Sequence, residues 1–227
     1  TLHRHANQQV QEALALLAEG EREAVLRGME LYGRALARRR AQQQFTIRPI
    51  TRRDDPSIAR IVRAVLTEYK ATSAGFAIHD PEVDAMSENH AAAGSGYWVL
   101  VRSGQVVGGC GFAPLAGGEP GVCELRKMYF VPEVRGVGMG GRLLAYVLEE
   151  ARRAGHRTCY LETMLSMTEA RRLYESFGFQ PRCGPLGATG HFSCDTWYTL
   201  DLGARKPAAQ GAGEPDQGGV EDRSFSD

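Results

Sequence analysis

The chain has 227 residues, with 27 basic and 27 acidic side chains and six histidines, so its formal charge is zero. Hydrophobic residues make up 43% and charged residues 24%. These are ordinary values for a folded domain, and they exclude a wholly disordered chain and one held to DNA or an anionic membrane by bulk charge alone. At about 150 residues per domain, the length calls for one full core and a remainder. No apolar run is long enough to span a bilayer, and residues 1–10 lack the hydrophobic stretch of a signal peptide. Cys110, Cys123, Cys159, Cys183 and Cys194 are odd in number, widely spread and without a Cys-x-x-Cys pair, which points to a reducing, cytoplasmic setting. His191 and Cys194 share a segment but have no partners at metal-ligand spacing, so no metal is expected. The first residue is Thr1 rather than methionine, which implies a trimmed chain or one that begins further upstream.

Residues 1–44 read as helical. Val10, Leu14 and Leu17 recur at i, i+4 and i+7, an amphipathic stripe, and Gly20 is expected to break it. Glu21 and Glu23 then place acidic groups in the first turn of a second helix, and Arg38-Arg39-Arg40 place cations in its last, the signs a helix dipole favours at each end. Val25, Met29, Tyr32 and Leu36 keep helical spacing between them. Two such helices cannot bury their apolar faces alone; they need the following domain, a second subunit or upstream residues.

Residues 45–202 alternate strand and helix signals, which defines an α+β domain. A short strand over 45–50 precedes Asp54-Asp55-Pro56, a helix start whose core face is Ile58, Ile61, Val62, Val65 and Leu66. Asp80-Pro81 starts another short helix. Residues 97–102, a Ser103-Gly104 turn and 105–113 form a hairpin, and 122–131 a further strand. Residues 140–154 form a strong helix with Leu144, Val147, Leu148 and Ala151 toward the core and Gly155 at its left-handed stop. A strand over 157–163, a helix from Thr168 to Phe177 and a last strand pair carrying Phe179 and Trp197 complete the domain. Residues 203–227 are rich in glycine and poor in apolar side chains, and read as a disordered tail.

The chemically informative segment runs strand, glycine-rich turn, long helix. In Arg135-Gly136-Val137-Gly138-Met139-Gly140-Gly141 several backbone N–H groups converge at a helix N-terminus, where the helix itself leaves them unpaired. That is an anion site, suited to a phosphate. Glycine lets backbone rather than side chain meet the ligand, and Arg135 and Arg142 flank the site as sources of charge-assisted contacts. The loop lacks the Gly-Lys-Ser/Thr ending of a Walker motif. Gly136-x-Gly138-x-x-Gly141 fits the spacing of a dinucleotide fingerprint, but the strands before it look like an antiparallel meander rather than the start of a βαβ unit.

Four features lie in order: the strand bearing Glu124, the Arg135-x-x-Gly138-x-Gly140 loop, the amphipathic helix after it, and Ala170-Arg-Arg-Leu-Tyr174-Glu-Ser-Phe-Gly178-Phe179. Together they are similar to the GNAT family of acyl-CoA N-acyltransferases, over about residues 45–202. The resemblance implies a mostly antiparallel, splayed sheet flanked by helices, here preceded by a helical hairpin, and acetyl transfer from acetyl-CoA to an amine. It places the free strand edge that pairs with pantetheine at Lys127, Met128, Tyr129 and Phe130, with the Met128 N–H polarising the thioester carbonyl. It places the pyrophosphate loop at Arg135, Gly136, Val137, Gly138, Met139, Gly140 and Gly141. Tyr174 matches the tyrosine that protonates the CoA sulfur, and Glu124 the strand carboxylate that in some members deprotonates the amine. Read without the resemblance, Tyr174 is a core position on a helix and Glu124 a partner for Arg126 or Lys127; Glu162 on the next strand is a rival base. Ser166-Met167-Thr168 departs from the asparagine that many members carry, so no pantetheine contact is expected there. The acceptor, a primary amine of a small or amino-acid-like molecule, is expected against residues 75–84 and 187–197, with Asp84, Glu88 or Asp195 as acidic partners. A protein acceptor is the weaker alternative, since these loops show no peptide-binding composition.

Residues 9–43 resemble the C-terminal dimerisation helices of MarR-type winged-helix regulators, as in chains that join such a regulator to a GNAT domain. This implies a homodimer through 9–43, with recognition helix and wing upstream of Thr1. DNA would then not be read by this chain alone. The alternative function is a ligand- or acyl-CoA-sensing regulator with little turnover.

Overall fold

A computed structural model describes residues 2–203, with side chains from residue 8 onward. The tail expected over 203–227 lies outside the described residues except at Gly203. Helices α1 (Leu2–Ala15) and α2 (Glu19–Gln42) come first. Gly20 does not separate them; it lies inside α2, and the break falls at residues 16–18. The Glu21 carboxylate accepts a hydrogen bond from the Ala18 N–H at 2.9 Å, which satisfies one orphan amide and sets the helix start. No residue of α2 is buried. Val25, Leu26, Met29, Leu31 and Tyr32 are exposed.

The domain that follows contains seven strands: β1 (Phe45–Pro49), β2 (Gly96–Arg102), β3 (Gln105–Pro114), β4 (Val122–Phe130), β5 (Thr158–Thr163), β6 (Gln180–Arg182) and β7 (Thr196–Asp201). They form one mixed sheet in the order β1-β2-β3-β4-β5-β7-β6. Only β4 and β5 pair in parallel; the other neighbours are antiparallel. The expected α+β fold with a splayed sheet and a leading helical segment is therefore present.

Strand periodicity decides which side chains meet which helix. On β2, Tyr97 and Val99 join a cluster with Ile58, Val62 and Leu66 of α3 (Asp55–Glu68), whereas Trp98 packs with Leu143, Leu144, Val147 and Leu148 of α5 (Met139–Arg153). The sheet thus lies between α3 on one face and α5 on the other. Helix α5 stops where expected: Gly155 has φ +91°, a left-handed conformation that costs glycine little. Helix α6 (Thr168–Ser176) carries Ala170, Leu173 and Tyr174 at i, i+3 and i+4, its C-cap Phe177 follows at i+7, and all four pack on the core. Between α3 and β2 runs an irregular segment with 3-10 turns at Ala77–His79 and Pro81–Asp84 and the short α4 (Met86–Asn89).

Two departures from regular pairing shape the site. β4 pairs with β5 only over Val122–Thr158, Cys123–Cys159 and Glu124–Tyr160. Beyond Glu124 the strands diverge, and the edge of β4 on that side is unpaired. In addition, the β3–β4 register shifts between Gly109 and Gly111, opposite Lys127, which has φ +48°. A left-handed lysine is strained, and its surroundings hold it. Its carbonyl accepts a hydrogen bond from the Tyr97 hydroxyl at 2.8 Å, and its buried ammonium bonds Asp80 at 2.6 Å and meets Glu82 at 2.8 Å.

Candidate active site

The first cavity is an open groove of about 660 Å³ between β4, the glycine loop and α6. Its walls include Met128, Tyr129 and Phe130 of the unpaired β4 edge, Arg135, Gly136, Gly138, Gly140 and Gly141 of the loop, and Ala170, Leu173 and Tyr174 of α6. Gly138 is the N-cap of α5 with φ +84°, so the loop turns through a conformation that a side chain would strain. Val137 and Met139 alternate the other way and pack with Phe45, Leu100 and Val134. Of the expected loop residues these two contribute no wall, because their side chains anchor the loop to the core. Arg135 does not stand free: its guanidinium bonds both oxygens of Glu68 on α3 at 2.6 and 2.7 Å. Arg142, on the exposed side of α5, is absent from the groove wall.

The second cavity, about 70 Å³, lies where β4 and β5 diverge. Glu124, Arg126 and Lys127 of β4, Glu162 of β5, His191 and Cys194 line it. The Arg126 Nε donates to Glu124 Oε2 at 2.7 Å, so the pairing that the residues alone suggested is real, but Glu124 faces the cavity all the same. Glu162 Oε1 accepts hydrogen bonds from the Tyr160 hydroxyl at 2.6 Å and the Thr189 hydroxyl at 3.0 Å. Its buried Oε2 has no hydrogen-bond partner; the nearest cation, His191 Nδ1, stands 3.6 Å away, beyond useful hydrogen-bond length.

His191 knits the wall together. Its Nε2 donates to Asp80 at 2.8 Å, and its Nδ1 faces Glu162 and, at 3.8 Å, Glu124. Burial alone would lower the imidazole, but the carboxylates of Asp80 and Glu162 outweigh it and push His191 up to about 9. At neutral pH it is therefore a cation. Burial raises Asp80 and Glu82 less than His191 and Lys127 lower Asp80, and less than Lys127 and Arg126 lower Glu82; both stay ionised. Glu162 is likewise held below its ordinary value despite burial, by His191, Tyr160 and Thr189.

The two cavities share the walls Met128, Tyr129, Met167, Ala170 and Tyr174. Tyr174 is almost fully buried, edge-on to Phe179, and burial pushes its phenol well up, so it carries its proton at any ordinary pH. The structure brings Tyr174, Glu124, Glu162 and the β4 edge, all singled out by the sequence, into one region. Phe76, Ala77, His191 and Cys194 of the two expected acceptor loops line the second cavity, whereas Asp84, Glu88 and Asp195 do not. Asp84 pairs with Arg63 on the surface, Glu88 is exposed, and Asp195 accepts from the Leu165 N–H and the Thr196 hydroxyl. The charged groups that frame the cavity are instead Asp80, Glu82 and His191, which the sequence does not single out as acids or bases.

The site so described joins a glycine-loop groove to a polar pocket where the sheet splays. The acetyltransferase (GNAT) family model matches residues 62–179. The uncharacterised N-acetyltransferase YjgM of Escherichia coli is 43% identical over 163 residues, which cover 71% of this chain and 98% of that protein. Among solved structures, an acetyltransferase of the GNAT family from Staphylococcus aureus superposes with a TM-score of 0.61 at 19% identity, covering 70% of this chain and 99% of that one. The yncA protein of Salmonella typhimurium, solved with its cofactor acetyl-CoA, superposes with a TM-score of 0.56 at 25% identity, covering 74% and 98%. The chain belongs to the GNAT family and is an acyltransferase.

Proposed function

We propose that this protein transfers the acetyl group of acetyl-CoA to a primary amine of a small or amino-acid-like acceptor, by direct attack in a ternary complex. The observation that carries the reading is the meeting of the two cavities at Tyr174 and the free β4 edge. A donor laid in the groove with its phosphates on the glycine loop brings its thioester to that junction, and an amine in the second cavity approaches the carbonyl from the far side. Residues 45–202 act as the catalytic domain.

The roles follow from the chemistry. The amine attacks only when neutral, so its proton must leave. Glu124 receives it, and the unpartnered oxygen of Glu162 holds the incoming ammonium beside it. The Met128 N–H polarises the thioester carbonyl as charge develops on oxygen. Tyr174, kept protonated by burial, gives its proton to the departing sulfur. His191 is cationic at neutral pH and serves as the tie between Asp80, Glu162 and Glu124 rather than as a base. A cytoplasmic setting fits the free, buried thiols of Cys110, Cys123 and Cys159. A homodimer through residues 9–43 fits the exposed apolar side chains of α2.

The test is CoA release with acetyl-CoA and a library of primary amines, run beside calorimetric titration of acetyl-CoA. Turnover with at least one amine supports the reading. Donor binding without turnover would favour the sensing regulator, and no donor binding at all would sink both.

A further inference from the structure

One side chain in the donor groove comes from outside the acyltransferase domain. Arg38, in the last turns of α2, lines the groove beside Arg135 and the glycines. Its guanidinium lies directly over the face of Gly138, where a Cβ would collide with Nη2, Nε and Cζ. One turn further on, the Gln42 side-chain amide donates to the Val137 carbonyl at 3.2 Å. The C-terminal end of α2 is thus fastened to the loop, although no residue of the helix is buried.

This placement is electrostatically incomplete as it stands. Gly138 is the N-cap of α5, and the unpaired N–H groups that follow it form the positive end of a helix, which repels a cation and attracts an anion. Among the described residues Arg38 has no carboxylate partner. Arg135, by contrast, already has both oxygens of Glu68. The ionised side chains of the groove are the guanidiniums of Arg38 and Arg135 and the carboxylates of Glu68 and Glu169. Without Arg38 the carboxylates would outnumber the cations on a surface that must accept a polyanion. An anion between Arg38 and the loop amides would satisfy both at once.

We propose that Arg38 is a donor-binding residue: its guanidinium clamps the pyrophosphate of the acyl-CoA against the Gly138 turn, and Gln42 fixes α2 in the position that allows it. The N-terminal helix then belongs to the donor site rather than being a passive extension. The inference rests on the acyl-CoA reading given above.

Steady-state kinetics of Arg38→Ala, Arg38→Lys and wild type decide it, with acetyl-CoA, dephospho-acetyl-CoA and acetyl-pantetheine as donors. Loss of one charge-assisted contact should raise the KM of Arg38→Ala for acetyl-CoA about tenfold with kcat unchanged. The same increase is expected with dephospho-acetyl-CoA, which keeps the pyrophosphate, and none with acetyl-pantetheine, which has no phosphate beyond the pantetheine arm. Arg38→Lys should recover part of the loss, because the charge remains but not the fork. An unchanged KM in Arg38→Ala overturns the proposal, as does a tighter KM, which would mark Arg38 as a plug, or an equal loss with acetyl-pantetheine, which would mark a general disturbance of the groove. Circular dichroism of both variants confirms that α2 is intact. If wild type binds no acetyl-CoA, the failure belongs to the acyl-CoA reading and not to Arg38.

Discussion

Replacing His191 by glutamine tests the electrostatic frame of the acceptor pocket. The imidazole moves from an ordinary value of 6.5 to about 9 on folding, and its side chain is only 13% exposed. At about 1.4 kcal/mol per pKa unit, the shift corresponds to a contribution on the order of 3 kcal/mol from the protonated ring. The folded-state value lies above the unfolded one. The contribution is therefore fully present below about pH 6.5 and is lost as pH rises through about 9. Glutamine can still donate one hydrogen bond to Asp80 but carries no charge at any pH. Urea unfolding of both proteins between about pH 6 and 10 should show wild type more stable at the acid end, with the gap closing toward the alkaline end. A gap that stays constant across that range would refute the cationic assignment, and with it the claim that His191 ties the carboxylates together.

Tyr174→Phe removes the proton offered to the sulfur while keeping the ring against Phe179. It should lower kcat about a hundredfold with little change in donor KM, and an unaltered kcat would take Tyr174 out of the mechanism. Glu124→Gln should lower kcat, whereas Glu162→Gln should mainly raise the acceptor KM; the two variants are compared with the amine found by the library screen. Gly138→Ala forces a side chain into φ +84° and against Arg38. It should cost about 1–2 kcal/mol in thermal unfolding and weaken acetyl-CoA binding by titration.

The elements that the residues predicted well are those with one dominant local signal. The α5 core face, the Gly138 and Gly140 loop and the α6 tyrosine repeat all express short spacings, and each formed within a residue or two of expectation. The α1–α2 break was misplaced because glycine in an exposed helix interior costs only about 1 kcal/mol, whereas Glu21 reaching back to Ala18 is a side-chain device without a periodic signature. That Asp84 stands away from the second cavity has a geometric reason. Glu82 and Asp84 stand two residues apart on a 3-10 turn with three residues per turn, so they face different ways: one meets Lys127 and Arg126, the other Arg63 on the surface. The link between His191 and Asp80 spans residues far apart in sequence, and only the closing of the loop over Lys127 brings them together. In the sequence Arg38 is a charge suited to a helix end. Its second place, over the phosphate loop, depends on how α2 meets the sheet.

The short parallel pairing of β4 with β5 has a mechanical consequence. Three residue pairs are the whole strand ladder between a four-stranded half-sheet, β1 to β4, and a three-stranded one, β5 to β7. Beyond that ladder the halves are joined by side-chain packing and by loop contacts such as the Ala188 N–H to the Ala116 carbonyl at 2.7 Å and His191 to Asp80 at 2.8 Å. A pantetheine arm bonded along Met128 to Phe130 would stand where the next rungs of the ladder belong, so that the donor becomes a temporary eighth strand. On the proposed function the sheet is least complete where the chemistry would take place, and the substrate would supply the missing rungs.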